Sequence, residues 1–85
     1  MMKPIFKNNG LMCRVLIEEE TGKYFVELVC GGVGMYEVTV PMLESEVQDF
    51  KVDPERIKHV VREVTFSPEK AVRDRNGWIG GAEKR

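Results

Sequence analysis

The sequence has few of the side chains that carry enzyme chemistry or bind metal ions. Among its 85 residues there are one histidine, two cysteines and two serines. A nucleophile with its base, or a set of metal ligands, needs such residues in combination. We therefore expect no catalytic residue, no metal site, no cofactor and no small-molecule substrate, and we expect that the protein is not an enzyme.

Long apolar segments are also missing. The longest one, residues 28–36, has nine residues, of which three are glycine, whereas a membrane-spanning helix needs about 20. The first seven residues include two lysines and a proline and do not resemble a secretory signal. The sequence therefore predicts a cytoplasmic protein with no membrane partner, in which the cysteines stay reduced.

The charge is balanced overall but unevenly distributed along the chain. The formal net charge is −1. Residues 1–54 hold five basic and nine acidic side chains, whereas residues 55–85 hold eight basic and five acidic ones. The length predicts a single domain over residues 1–79, followed by a flexible tail over residues 80–85.

Two runs of alternating apolar and polar residues predict a β-hairpin. Leu11–Glu19 and Lys23–Gly31 flank Thr21-Gly22, and alternation with a period of two is typical of strands. A two-residue loop at Thr21-Gly22 places Glu20 opposite Lys23. The pairs on one face are then all apolar: Ile17 with Val26, Val15 with Leu28, and Cys13 with Cys30.

This register places Cys13 and Cys30 directly opposite each other. The Cα atoms of such a pair are about 4.5 Å apart, a separation that falls just inside the range for a disulfide. The pair is therefore either a redox switch or two buried thiols that pack like small apolar side chains. We favour the buried thiols because neither cysteine belongs to a Cys-x-x-Cys motif.

A third strand, Met35–Pro41, follows a glycine-rich turn. A three-residue loop over residues 32–34 puts Gly34 where a positive φ angle is needed, and glycine adopts that angle at the lowest cost. The predicted pairs are Cys30 with Tyr36, Leu28 with Val38, and Val26 with Val40. Ile5-Phe6 is predicted as a short fourth strand at the N-terminal edge.

After residue 41 the apolar spacing changes to that of helices. The first apolar stripe, at i, i+4 and i+7, consists of Leu43, Val47 and Phe50. Within it, Ser45 and Gln48 have the spacing of a capping box. Asp53-Pro54-Glu55 predicts a helix start, since it combines a capping residue, a proline and an acid. The apolar stripe of this second helix is Ile57, Val60, Val61 and Val64.

Ser67-Pro68-Glu69 repeats the same start motif. The helix that it begins is expected to end near Arg75, with Asn76-Gly77 as its stop, and Trp78-Ile79 to fold back on it. The predicted fold is thus α+β: a three-stranded antiparallel meander, with the short fourth strand at its N-terminal edge, followed by two or three helices that pack on one sheet face.

The other face of the sheet, which we call the second face, is the most informative feature. Of the ten side chains expected there, five are large and apolar. Such a mixture of apolar and charged residues is typical of an interaction surface. The residues predicted to bind are Met12, Arg14, Leu16, Phe25, Glu27, Val29, Met35 and Glu37. The alternative is that the C-terminal segment, including Trp78 and Ile79, covers this face.

Three classes of function remain open. The leading one is a protein-interaction module whose second face forms a homodimer or binds or inhibits another protein. A nucleic-acid-binding protein is an alternative, in which the surface would consist of Arg56, Lys58, Arg62, Lys70, Arg73, Arg75 and Trp78. Interleaved acidic residues and a single stacking aromatic speak against it. The last alternative is an accessory subunit of an enzyme.

Overall fold

In residues 2–30 and 36–79, which a computed structural model describes, the chain forms an antiparallel sheet of five strands and three α-helices. The strands are β1 (Met2–Asn8), β2 (Cys13–Glu18), β3 (Tyr24–Cys30), β4 (Tyr36–Pro41) and β5 (Trp78–Ile79). The helices are α1 (Glu44–Val52), α2 (Ile57–Phe66), which follows a 3₁₀ turn at Pro54–Arg56, and α3 (Pro68–Arg75). The strands lie in chain order, so the predicted α+β meander followed by helices is confirmed.

The register predicted for the first hairpin is wrong by two residues. Cys13 lies opposite Leu28, and Val15 lies opposite Val26. The cause is a longer loop: the Glu18 N–H donates to the Lys23 carbonyl, which leaves four residues, 19–22, in the turn. Gly22 adopts a φ angle of 76° there, a conformation that glycine adopts readily. A shift of two residues keeps every side chain on its face, so the predicted core face survives the wrong pairing.

The corrected register separates the two cysteines. Cys13 and Cys30 now lie on a diagonal across β2 and β3, where Cα atoms are about 7–8 Å apart, beyond the usual disulfide range. Both residues are buried free thiols, and burial raises the pKa of each. The arrangement fits two small apolar side chains in the core, not a redox pair.

The pairing predicted between the second and third strands of the meander is confirmed. Cys30 lies opposite Tyr36, Leu28 opposite Val38, and Val26 opposite Val40. The turn between them, with the predicted role of Gly34, lies outside the described residues, as does the predicted tail over residues 80–85.

Both edges of the sheet differ from the sequence prediction. The N-terminal strand extends well beyond Ile5-Phe6, over Met2–Asn8, and a bulge interrupts its register between Pro4 and Phe6. At the opposite edge, Trp78-Ile79 pairs with β4 as a fifth strand instead of folding back on the last helix.

The core lies between the helices and one face of the sheet. The sheet contributes Cys13, Val15, Val26, Leu28, Cys30, Val38 and Val40, and the helices contribute Phe50, Ile57, Val60, Val61, Val64 and Ala71. Phe6 of β1 packs edge-on against Phe50 of α1, with ring centroids 5.4 Å apart. The predicted stripe of the second helix is buried throughout, as expected for the apolar side of an amphipathic helix.

Most helix ends follow local chemistry, although the Ser67 side chain makes no capping hydrogen bond at the start of the last helix. The Asp53 carboxylate accepts a hydrogen bond from the Glu55 N–H, as the start motif predicts. The first helix, however, begins at Glu44, and the Glu46 carboxylate accepts from the Leu43 N–H, so the capping interaction does not use Ser45 and Gln48. Asn76 ends the last helix in the left-handed conformation, where asparagine is tolerated.

Gly77 lets the C-terminal strand approach β4 closely. A Cβ atom at this position would lie 2.7 Å from Cγ1 and 3.0 Å from Cα of Val40, and it would also collide with the Thr39 carbonyl oxygen. Two of these three atoms belong to the backbone of a central strand, which cannot easily move away.

We therefore expect Gly77→Ala to destabilise the protein by about 1–3 kcal/mol through overpacking. Denaturant unfolding followed by circular dichroism measures this change. Gly10→Ala is the matched control, because its Cβ would meet only the Asn8 side-chain oxygen, at 3.3 Å; we expect a change within about 0.5 kcal/mol. Equal effects of the two substitutions would contradict the close approach.

Candidate protein-interaction surface

The strand register arranges the second face in rows that run across the sheet. One row, called the charged row below, takes one residue from each strand: Lys7, Arg14, Glu27, Thr39 and Trp78. The next, called the apolar row, consists of Pro4, Leu16, Phe25 and Pro41. The bulge in β1 brings both Pro4 and Lys7 to this face, although they are three positions apart.

A cross-strand ion pair occupies the middle of the charged row. The Arg14 guanidinium donates through Nε and Nη2 to Oε1 of Glu27, with the Nε distance at 2.8 Å. The Arg14 side chain is 44% exposed and the Glu27 side chain is 20% exposed. The pair therefore stays accessible to a partner, and its contribution to folding is small because water screens it.

The apolar row is partly covered by the chain itself. Leu16 is only 6% exposed, although it lies outside the core that the helices cover. Next to it in the row, Phe25 contacts the Trp78 ring, with centroids 5.8 Å apart. The two sequence-based alternatives for this face thus each describe part of it: β5 shields one end of the apolar row, whereas Lys7 and Arg14 of the charged row remain exposed.

Met12 stands out beside the charged row. It has a φ angle of 54°, which bulky side chains rarely adopt, and it is 50% exposed. With Val29, Arg14, Glu27 and other residues it lines a groove of about 450 Å³. Neither the backbone conformation nor the exposure favours methionine over a small polar residue, and such departures from local preference occur mainly at functional sites.

The structure brings most of the predicted binding residues together. Those on one face and at least partly exposed are Met12, Arg14, Phe25, Glu27, Val29 and Glu37. Leu16 shares the face but is only 6% exposed, so it adds little area to a contact with a partner. Met35 lies outside the described residues. Sequence reasoning missed Pro4 and Lys7, because their placement depends on the bulge, and for this face it named Trp78 only in the alternative in which the C-terminal segment covers the face.

The basic surface considered for nucleic acid is dispersed. Arg56 pairs with Asp49, and Lys70 pairs with Asp74. Arg75 is buried, and Trp78 contacts Phe25 on the face away from the helices. A stacking platform needs aromatic and basic side chains on one surface, so this arrangement gives little support to that alternative.

A second groove, of about 480 Å³, lies on the helical side of the molecule. Its lining includes Leu43, Phe66 and Arg75, and the Phe66 side chain is almost fully exposed. Arg75 and Glu63, which both line this groove, form an ion pair.

Arg75 is the one charged residue that is buried in the described part of the chain. Its guanidinium donates to both carboxylate oxygens of Glu46 at 2.7 Å, to Glu63 at 3.0 Å, and to the Pro41 carbonyl at 3.3 Å. The hydrogen bonds that Arg75 donates to Glu46 raise the pKa of Arg75. These four groups, called the Arg75 cluster below, stabilise one another in their charged or polar forms. The cluster therefore has a structural role. General acid–base catalysis would instead need a group that readily gains or loses a proton.

The contacts with Arg75 also change the pKa of the Glu46 carboxylate. Burial alone raises its pKa, but hydrogen bonds from Arg75 and from the Leu43 N–H, together with the Arg75 charge, outweigh burial and leave the pKa below its ordinary value of 4.5. The folded state therefore favours the ionised carboxylate.

Comparison with protein-family models, with curated proteins and with solved structures finds no match. In the part of the chain that the structure describes, none of the helices is both long enough and apolar enough to cross a membrane.

Removal of the buried guanidinium should destabilise the fold strongly. We expect Arg75→Met to cost about 3–5 kcal/mol, because it removes the guanidinium N–H groups that Glu46 and the Pro41 carbonyl accept from. Arg73→Met is the matched control: Arg73 lies on the same helix and is exposed, and its loss should change stability by no more than about 0.5 kcal/mol. Similar unfolding midpoints for the two variants would contradict the role of the Arg75 cluster.

The low pKa of Glu46 makes stability dependent on pH. Because the folded pKa lies below the unfolded value, this carboxylate stabilises the fold fully above the ordinary value of 4.5 and loses its contribution as the pH falls through the folded pKa. In unfolding experiments from about pH 7 to pH 3, the stability advantage of the native protein over Glu46→Gln should therefore shrink as the pH falls. A difference that stays constant over this range would refute the linkage.

Proposed function

We propose that this protein is a small, non-catalytic interaction module that binds a protein through the second face of its sheet. The observation that carries the proposal is the exposed Met12 in a left-handed conformation at the edge of the groove. A long apolar side chain held there has no benefit for folding, whereas methionine adapts well to the surface of a partner.

The composition of the second face supports the same function. It combines accessible charges of both signs in Arg14, Glu27 and Glu37 with partly exposed apolar side chains in Phe25 and Val29. Protein interfaces typically have an apolar centre with polar groups that fix orientation. The helices occupy the other side of the sheet, which leaves this side for a partner.

The remaining alternatives have weaker support. Nucleic-acid binding lacks a surface that joins the basic residues to Trp78. A role as an enzyme subunit would also use a protein interface, and the second face is the surface that we would assign to that contact as well.

Met12→Asn separates binding from folding. Asparagine tolerates a positive φ angle better than methionine does, so the variant should be as stable as the native protein or slightly more stable. Its binding should fall several-fold because the apolar contact is lost. A photoreactive phenylalanine would replace Glu37, and cells of the source organism that produce this variant would be irradiated. The cross-linked species would then be compared between the proteins with and without Met12→Asn.

The control places the same photoreactive residue at position 58, which is exposed on the helical side. We expect discrete cross-linked species from position 37 that decline with Met12→Asn, and none from position 58. Equal cross-linking from both positions, or none from position 37, would overturn the proposed function. The mass of a cross-linked species also shows whether the partner is a second copy of this chain or a different protein.

A further inference from the structure

In the charged row, the charges change sign at the middle of the sheet, whereas Glu18, farther along β2 on the same face, is acidic. On the side of β1 and β2, the charged row carries Lys7 and Arg14; on the side of β3 it carries Glu27. Glu37, on β4, adds a second acidic group on that side. The boundary between the two signs runs parallel to the strands, between β2 and β3.

We infer that the partner is a second copy of the same chain, packed face to face about a two-fold axis that runs parallel to the strands between β2 and β3. This inference rests on the proposed function, since it names the partner of the same surface. A two-fold axis makes an interface in which one patch is complementary to itself, and a patch divided between opposite charges meets that requirement.

A rotation about this axis places each row of one copy over the same row of the other copy, and it reverses the order of the strands. Arg14 of one copy then faces Glu27 of the other, and Leu16 lies above Phe25 in the apolar row. The two intrachain ion pairs combine into a ring of four alternating charges across the interface. Aligned packing of two sheets at about 10 Å provides the spacing for such contacts.

The other two-fold axis in the plane of the sheet lies across the strands and places β2 above β2. Arg14 then meets its own copy, or the charged row lies against the apolar row, or, for an axis through the apolar row, Arg14 meets Glu18 of the other copy. The first arrangement brings like charges together, and the second buries charges without partners. Of the two directions, only the axis parallel to the strands places Arg14 against Glu27 of the other copy, and this contact is the one that the variants below test.

The expected dimer is of moderate strength. A sheet face of this width and strand length measures roughly 20 Å by 20 Å, so the dimer would bury on the order of 1,000 Å², at the lower end of specific interfaces. We expect dissociation in the micromolar range, which sedimentation or light scattering can measure over a dilution series.

Two charge-reversal variants test the arrangement. Arg14→Glu makes the middle of the row acidic, and Glu27→Arg makes it basic. Each variant alone brings four like charges together in the dimer and should self-associate at least tenfold more weakly than the native protein. An equimolar mixture restores opposite charges across the interface and should associate within a few-fold of the native affinity.

The mixture isolates the contact between chains from the ion pair within one chain, because that internal pair is broken in both variants. Circular dichroism and thermal unfolding check that each variant is folded. Should a single variant be unfolded, the double variant Arg14→Glu with Glu27→Arg restores the internal pair, and it should dimerise like the native protein.

The matched control reverses an exposed ion pair on the helical side. Lys70→Glu and Asp74→Lys change the net charge by the same amounts at a pair with a separation of 2.7 Å. Neither should alter self-association, alone or mixed. Weaker association of these variants would attribute the effect to net charge and would overturn the proposed arrangement.

The remaining outcomes separate this inference from the proposed function. A native protein that stays monomeric up to high concentration, or a mixture that associates no better than its components, overturns the two-fold arrangement. If cross-links from position 37 then identify a different protein, the proposed function stands with a foreign partner. If position 37 gives no cross-link, both fail.

Discussion

The buried guanidinium of Arg75 is the interaction on which the arrangement of the helices and the last strand depends. It binds carboxylates from two helices and a carbonyl at the end of β4. A buried charge is tolerated only when its donors are satisfied, so these groups must meet at one point. The last turn of α3 is thereby fixed relative to α1, α2 and the sheet.

This constraint on the helical side reaches the opposite face of the sheet. Arg75 is followed by Asn76 in the left-handed conformation and by Gly77, whose missing side chain allows contact with β4. The chain can then pair with β4 and deliver Trp78 to the second face, against Phe25. The surface proposed for binding is therefore shaped in part by a cluster that a partner on this face would not touch.

The second face combines two requirements that compete in a small protein. An antiparallel sheet with helices on one side must keep its other side acceptable to water, but an interface needs apolar area there. Here Leu16 is buried beneath its neighbours, β5 shields part of the apolar row, and the Arg14–Glu27 pair keeps the middle of the face polar. The large apolar side chains that stay exposed beside this pair, Met12 and Trp78, are available to a partner.

Local patterns in the sequence were sufficient to predict most of the fold. Alternation with a period of two identified the core face of the sheet, and the stripe from Ile57 to Val64 identified the buried side of α2, because these patterns report which side of an element is apolar. The start motif at Asp53 and the stop at Asn76 were readable because each acts within a few residues. Most of the candidate surface followed as the face opposite the core.

Features that depend on contacts between distant residues could not be obtained in this way. A hairpin shifted by two residues has the same apolar pattern, so only the hydrogen bonds of the four-residue loop decide that Cys13 faces Leu28. In the sequence, Arg75 is one basic residue among several on the last helices, and its burial depends on Glu46 and Glu63. The sequence by itself determined the elements and their apolar faces, because those are encoded locally. The tertiary structure alone decided the register, the bulge that brings Lys7 into the charged row, and the position of Trp78. Each of these three features requires a partner far away in the chain.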